Sequence, residues 1–101
     1  MTDLSRPAVV TALTIAGTAP TAASSGAEPR AYLGIFNQST ADTIYVGFDA
    51  APAAAATAGQ LTLLPVNGAN KSYVEWNGSF VPGNAIWLIS SAAATPVTLI
   101  E

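Results

Sequence analysis

Thr43-Ile44-Tyr45-Val46-Gly47-Phe48 alternates between residues that suit a core and residues that tolerate water. At a side-chain period of two, Ile44, Val46 and Phe48 share one face of a strand, and Thr43, Tyr45 and Gly47 share the other. Just upstream, Arg30–Asn37 puts Tyr32 and Phe36 on one face and Leu33 and Ile35 on the other, so it reads as a central strand with both faces covered. Gln38–Asp42 lies between them with the length and polarity of a hairpin loop, which predicts that the two strands pair antiparallel.

Downstream the same pattern recurs. Gln60–Leu64 is a short strand closed by Pro65, Asn67 and Gly68, and Ser72–Trp76 alternates again. Asn77-Gly78 is the strongest short hairpin signal in the chain, because a type I′ turn needs positive φ at both central positions. Pro82-Gly83 fits a type II turn. It introduces Ala85–Ser90, whose Ile86, Trp87, Leu88 and Ile89 leave no polar face and predict a buried strand. Ser91–Thr95 turns the chain into Pro96–Ile100, with Val97 and Leu99 on one side. Pro52–Ala58 suits a short helical turn, since alanine is the best helix former and proline fits the first turn.

Upstream, Val9-Val10-Thr11-Ala12-Leu13-Thr14-Ile15 places Val9, Leu13 and Ile15 on one side and reads as a strand on an arm. Gly17–Pro29 is small, polar and interrupted by two prolines, too poor in apolar area to offset its own ordering entropy. The sequence therefore divides into an N-terminal arm and flexible linker over 1–29 and a β-sandwich domain over 30–101. The fold class is all-β: a small antiparallel β-sandwich or barrel of about seven strands with an extended N-terminal arm.

Composition restricts the function. The chain has 101 residues, of which 50% are hydrophobic and only 9% charged, against about 25% charged in an ordinary soluble domain. A net charge of −3 from 3 basic and 6 acidic residues offers no footprint for phosphate, so nucleic acid is not an expected partner. No run of about 20 apolar residues exists to span a membrane as a helix, and the first residues lack a basic start followed by an apolar segment, which favours synthesis without export. Asn-x-Ser triplets at Asn37, Asn70 and Asn77 then read as turn chemistry rather than glycosylation signals. Without cysteine or histidine there is no thiolate nucleophile, no Ser-His-Asp relay and none of the usual soft metal ligands. No catalytic, cofactor or metal site is expected, and the chain reads as non-enzymatic.

Individual candidates have structural readings. Asp42 and Asp49 are separated by about 23 Å of extended chain, too far to act on one bond, and read as turn caps. Lys71 and Glu75 are placed to form a local ion pair. Trp76, Trp87, Tyr45 and Tyr73 suit strand packing or subunit contact, with an aromatic sugar platform as the alternative. Ser24-Ser25-Gly26 is too generic for a nucleophile motif. Hardly any charge remains to protect sheet edges from pairing, which points to a homo-oligomer or lattice component with the arm docked on or exchanged with a neighbour. The residues expected at partner contacts are Val9, Leu13 and Ile15 on the arm and Tyr45, Tyr73 and Trp76 on the domain.

Four segments together resemble a known group: 30–39 (Arg-Ala-Tyr-Leu-Gly-Ile-Phe-Asn-Gln-Ser), 43–48, Leu63-Leu64-Pro65, and 81–90 (Val-Pro-Gly-Asn-Ala-Ile-Trp-Leu-Ile-Ser). Their order over residues 30–101 is similar to that in small β-rich virion structural proteins of tailed bacteriophages, of the capsid cement, decoration or head-fibre type. The resemblance implies a protein synthesised in the host cytoplasm and located on the capsid surface. Its partner would be the major capsid protein or another virion protein, and its own oligomer a trimer. The leading expectation is a cement or decoration protein that stabilises an assembled capsid by bridging subunits. The alternative is a glycan- or receptor-binding module of a head fibre or tail component. No functional residue carries over from the resemblance.

Overall fold

A computed structural model of the chain describes residues 9–26, 30, 32–49, 61–66, 71–78, 80–92 and 94–101. They form eight strands: β1 (Val10–Ile15), β2 (Thr21–Ser24), β3 (Leu33–Asn37), β4 (Ile44–Phe48), β5 (Leu61–Leu63), β6 (Tyr73–Trp76), β7 (Ile86–Ser90) and β8 (Thr95–Ile100). One sheet runs β1-β8-β3-β6 and the other β2-β7-β4-β5, and every pairing is antiparallel. We call them sheet A and sheet B. This strand order is that of an eight-stranded jelly roll, a two-sheet sandwich of interlocked Greek keys.

Alternation builds the core. Ile15, Leu33, Ile35, Val97 and Leu99 from sheet A meet Ile44, Val46, Leu63, Ile86 and Leu88 from sheet B, all essentially inaccessible to water. Leu13, Phe48, Leu61, Val74 and Trp76 pack around them. At one side Phe48 of β4 and Trp76 of β6 meet edge to face across the sheets, their centroids 5.8 Å apart.

The strands stand where alternation puts them, but several partners differ from expectation. β3 and β4 do not form a hairpin: they lie in different sheets, and Gln38–Thr43 crosses between them. The cause is local. Buried Asn37 donates through Nδ2 to the carbonyls of Asp42 (2.8 Å), Leu63 (3.2 Å) and Leu64 (3.2 Å), and its Oδ1 accepts from the Ser39 amide at 2.9 Å. Ser39 Oγ in turn accepts from the amides of Ala41 and Asp42. The loop is thereby stapled to the end of β5 in sheet B. Asn77-Gly78 and Pro82-Gly83 likewise lie on a crossing, from β6 to β7. The residues with positive φ among those described are Gly26, Asp49 and Ala94, so neither a type I′ nor a type II geometry forms there.

Within the expected arm and linker, residues 10–15 and 21–24 are strands of the two sheets. β1 pairs with β8 of its own chain over six consecutive positions, Val10↔Ile100 to Ile15↔Thr95. The expected linker contains β2, an eighth strand built of Thr, Ala and Ser, which pairs with β7. The helical turn expected over 52–58 lies outside the described residues.

One buried cation joins the sheets at the end opposite Asn37. Arg30, its side chain fully buried, uses all five N–H donors. Nε and Nη2 donate to Glu101 Oε2 (3.0 and 2.8 Å), Nη2 to Ser24 Oγ (3.0 Å), and Nη1 to the carbonyls of Pro82 (2.7 Å) and Asn84 (2.8 Å). Residues at the ends of β2 and β8 and in the approaches to β3 and β7 thus share one guanidinium. Removing one partner of a buried ion pair strands the other and costs about 3–5 kcal/mol. Arg30→Ala is expected to destabilise the fold by that amount in urea titration, and Arg30→Lys to recover less than half, because an ammonium cannot reproduce five planar donors.

Candidate functional site

The outer face of sheet A is a patterned surface that spans four strands. Strand pairing places its residues in rows across four strands: Val10, Ile100, Gly34 and Glu75 in one, Ala12, Thr98, Phe36 and Tyr73 in the next, then Thr14 and Pro96. Apart from Glu75, no charged residue occurs in any of the eight strands. The face is therefore apolar and hydroxyl-bearing, with one carboxylate at its margin.

Gly34 sets the relief of this face. A Cβ there would sit 2.6 Å from Phe36 Cε1 and 2.7 Å from the Tyr32 hydroxyl, so the absence of a side chain lets both rings lie over the strand. Phe36 stacks on Tyr73 with centroids 5.5 Å apart and planes 12° from parallel. Tyr73 remains half exposed. The Tyr32 hydroxyl donates to Glu75 Oε2 at 2.7 Å. Partial burial first, then this hydrogen bond and the carboxylate's charge, push the Tyr32 phenol up from 10.0 to about 12.

The residues expected at partner contacts divide between surface and core. Tyr73 is on this face at its β6 edge, and Val9 is exposed just before β1 at the opposite edge of the sheet, its backbone exchanging hydrogen bonds with Glu101. Ile15 is fully buried in the core, and the partly buried Leu13 and Trp76 pack against that core, Trp76 edge to face with Phe48. Tyr45 lies on the opposite face, beside Ile89 and Thr62. Of the four aromatics considered as a sugar platform, Tyr45 and Trp87 share the outer face of sheet B on adjacent strands, while Tyr73 lies on sheet A and Trp76 packs inward, so the four do not form one platform. Tyr32, Gly34 and Phe36 joined Tyr73 instead, which required the β3–β6 register that alternation does not encode.

The other candidates resolve into structure. Asp42 and Asp49 stand beyond opposite ends of β4. Asp42 accepts from Thr95 Oγ1 at 3.1 Å, and Thr95 is also hydrogen-bonded to Ser90. Asp49, at φ 63°, accepts from the Ala85 amide at 3.0 Å and from Asn84 Nδ2, closing the β4–β7 ladder. Glu75 binds Tyr32 rather than Lys71, and the ion pair among the described residues is Arg30–Glu101. Ser24 belongs to the Arg30 cluster. No group of three acidic side chains capable of holding a metal ion, and no helix long and apolar enough to cross a membrane, occurs among the described residues.

Comparisons with known proteins add no relative: no family model, curated protein or solved structure matches the chain.

Because the folded state raises the Tyr32 pKa, its contribution to stability is fully present below about pH 10 and is lost as pH rises through about 12. In alkaline titration followed by tyrosinate absorbance, Tyr32→Phe is expected to remove the step near 12. Glu75→Gln should lower that step toward 10 without reaching it, since burial, the larger cause, persists. A step that stays put in Glu75→Gln would show that the carboxylate does not govern it.

Proposed function

We propose that this chain is a non-enzymatic virion structural protein of the tailed-phage cement or decoration type, which binds an assembled capsid and stabilises it by bridging subunits. The observation that carries the reading is the near absence of charge from eight strands whose sheet A face is open to water. A protein that works alone in solution keeps a charged, patch-free exterior. One that spends its working life against a neighbour has no need of it. The jelly roll supports the reading as a frame used by viral capsid domains, which is an analogy of fold.

Magnitudes favour repeated docking over a single tight contact. An interface of standard size buries about 1,600 Å², about 57% of it apolar. At about 25 cal/mol per Å² that contributes about 23 kcal/mol before polar desolvation and ordering, and association costs about 4–15 kcal/mol or more. The surplus depends on how well Glu75, Thr98 and Tyr73 are matched by the partner. Many copies on one shell, each bridging subunits, supply the remaining stability through effective concentration.

A second reading, a glycan-binding module on a head fibre or tail, rests on the stacked Phe36–Tyr73 pair beside Glu75. Mass spectrometry of purified virions separates the two: a shell component is present at a copy number that follows the capsid lattice, a fibre or tail component at a few copies. Tyr73→Lys places a charge on the exposed aromatic pair at the β6 side of the face and is expected to lower shell occupancy at least about tenfold, with folding stability changed by no more than about 1.5 kcal/mol from the lost ring pair. Unchanged occupancy in this variant would place the contact elsewhere and sink the reading.

A further inference from the structure

Sheet edges are where this molecule's backbone meets water, and its four edges are not equal. β5 has three residues, β6 has four and carries Glu75, and the ladder of β2 shifts register between Ala22 and Ser24. Short length, charge and irregularity each blunt an edge. β1 has none of these protections. Its six residues, Val-Thr-Ala-Leu-Thr-Ile, follow β8 one for one without charge, proline or bulge. Among the described residues no strand lies on its other side.

The direction of its free groups follows from one pair. Val9 and Glu101 exchange both N–H···O bonds, at 2.8 and 2.9 Å. In an antiparallel ladder such pairs recur every second residue, so Thr11, Leu13 and Ile15 face β8. Val10, Ala12 and Thr14 direct their N–H and C=O groups away from it. These are also the exposed positions of the strand.

We propose that β1 pairs antiparallel with β1 of a second copy, about a twofold axis passing between the two Ala12 residues. That register opposes Val10 to Thr14, Ala12 to Ala12 and Thr14 to Val10, so every outward N–H and C=O meets its complement and six hydrogen bonds form. A shift of two residues in either direction leaves four among the described residues. A shift of one sets outward groups against residues already bonded to β8. The axis stands perpendicular to the sheet, and the product is a continuous eight-stranded sheet with both outer faces on the same side. This symmetry replaces the threefold expected from the resemblance, and it stands independently of the shell-binding reading.

The chain contains no cysteine, so a single introduced thiol reports the register cleanly. Opposed residues of a hydrogen-bonded pair have Cα atoms about 5.5 Å apart, within reach of a disulfide. Ala12→Cys is expected to give a covalent dimer on mild oxidation or with a short bis-thiol crosslinker. In Val10→Cys the two thiols lie about 13 Å apart along the strands and stay unlinked. Sedimentation equilibrium should show a dimer of the unmodified chain. Ala12→Pro removes an N–H that β8 does not use and should raise the dimer dissociation constant about tenfold to a hundredfold, with the circular dichroism spectrum unchanged. Ala12→Lys, which keeps the backbone intact, should act in the same direction. A monomeric wild-type chain, a dimer that survives both Ala12 variants, or a dimer abolished by Tyr73→Lys instead, would overturn the proposal. Each measurement uses the isolated chain, so its failure leaves shell docking standing, and loss of shell docking leaves it untouched.

Discussion

Of the eight strands, only β4 and β5 are both consecutive in the chain and hydrogen-bonded to each other. Every other connection passes from one sheet to the other, so a strand gains its partners only when distant segments have already met. β1 must find β8 across some eighty residues, and β3 must find both β8 and β6. Loop-closure entropy is therefore spent before most ladders return anything. What makes closure favourable is the shared apolar layer, in which Ile15, Leu33, Ile35, Val97 and Leu99 are dry only if Ile44, Val46, Leu63, Ile86 and Leu88 cover them. Polar clusters then fix the ends: Asn37 and Ser39 hold one set of crossings, Arg30 and Glu101 the other.

Side-chain alternation is a property of each strand alone, which is why strand positions were legible. Ile44, Val46 and Phe48 face inward as their spacing predicts, and Val97 and Leu99 do the same. Pairing depends on turns, and there the residues misled. Gln38–Asp42 has hairpin chemistry, but the buried Asn37 amide bonds toward β5 and carries the chain to the other sheet. β2 was hidden for a different reason. Thr21–Ser24 has almost no apolar area of its own and is a strand because β7 offers it a ladder. Arg30 shows the same limit, since four of its five bonds are to groups more than fifty residues away. The outer-face cluster of Tyr32, Phe36, Tyr73 and Glu75 was legible only as separate strand residues. Its assembly needs the β3–β6 register and the bare Gly34 backbone beneath the rings.

The distribution of charge separates cohesion from exposure. The one guanidinium in the described core is consumed internally, and the carboxylates of Asp42, Asp49 and Glu101 are each engaged in closing the fold. Glu75 alone stands on a sheet face, and even it is tied to a phenol. Among the described strands, then, ionisable side chains serve chiefly to close the fold, and the sheet faces are left to apolar and hydroxyl groups.

The neutral face and the unguarded edge belong to the same sheet, and their geometry links them. If β1 joins β1 about an axis perpendicular to the sheet, the two outer faces lie side by side and address the same surface. A pair of weak docking faces then binds as one bivalent unit, the second contact being made at the effective concentration that the dimer itself imposes. Pairing through the opposite edge would set Glu75 of one copy near Glu75 of the other, since β6 carries it, and like charges across a new ladder oppose association. The single strand-borne charge thus sits at the edge farthest from β1, where in the proposed assembly it disfavours the competing β6 pairing and leaves the β1 edge the less opposed of the two.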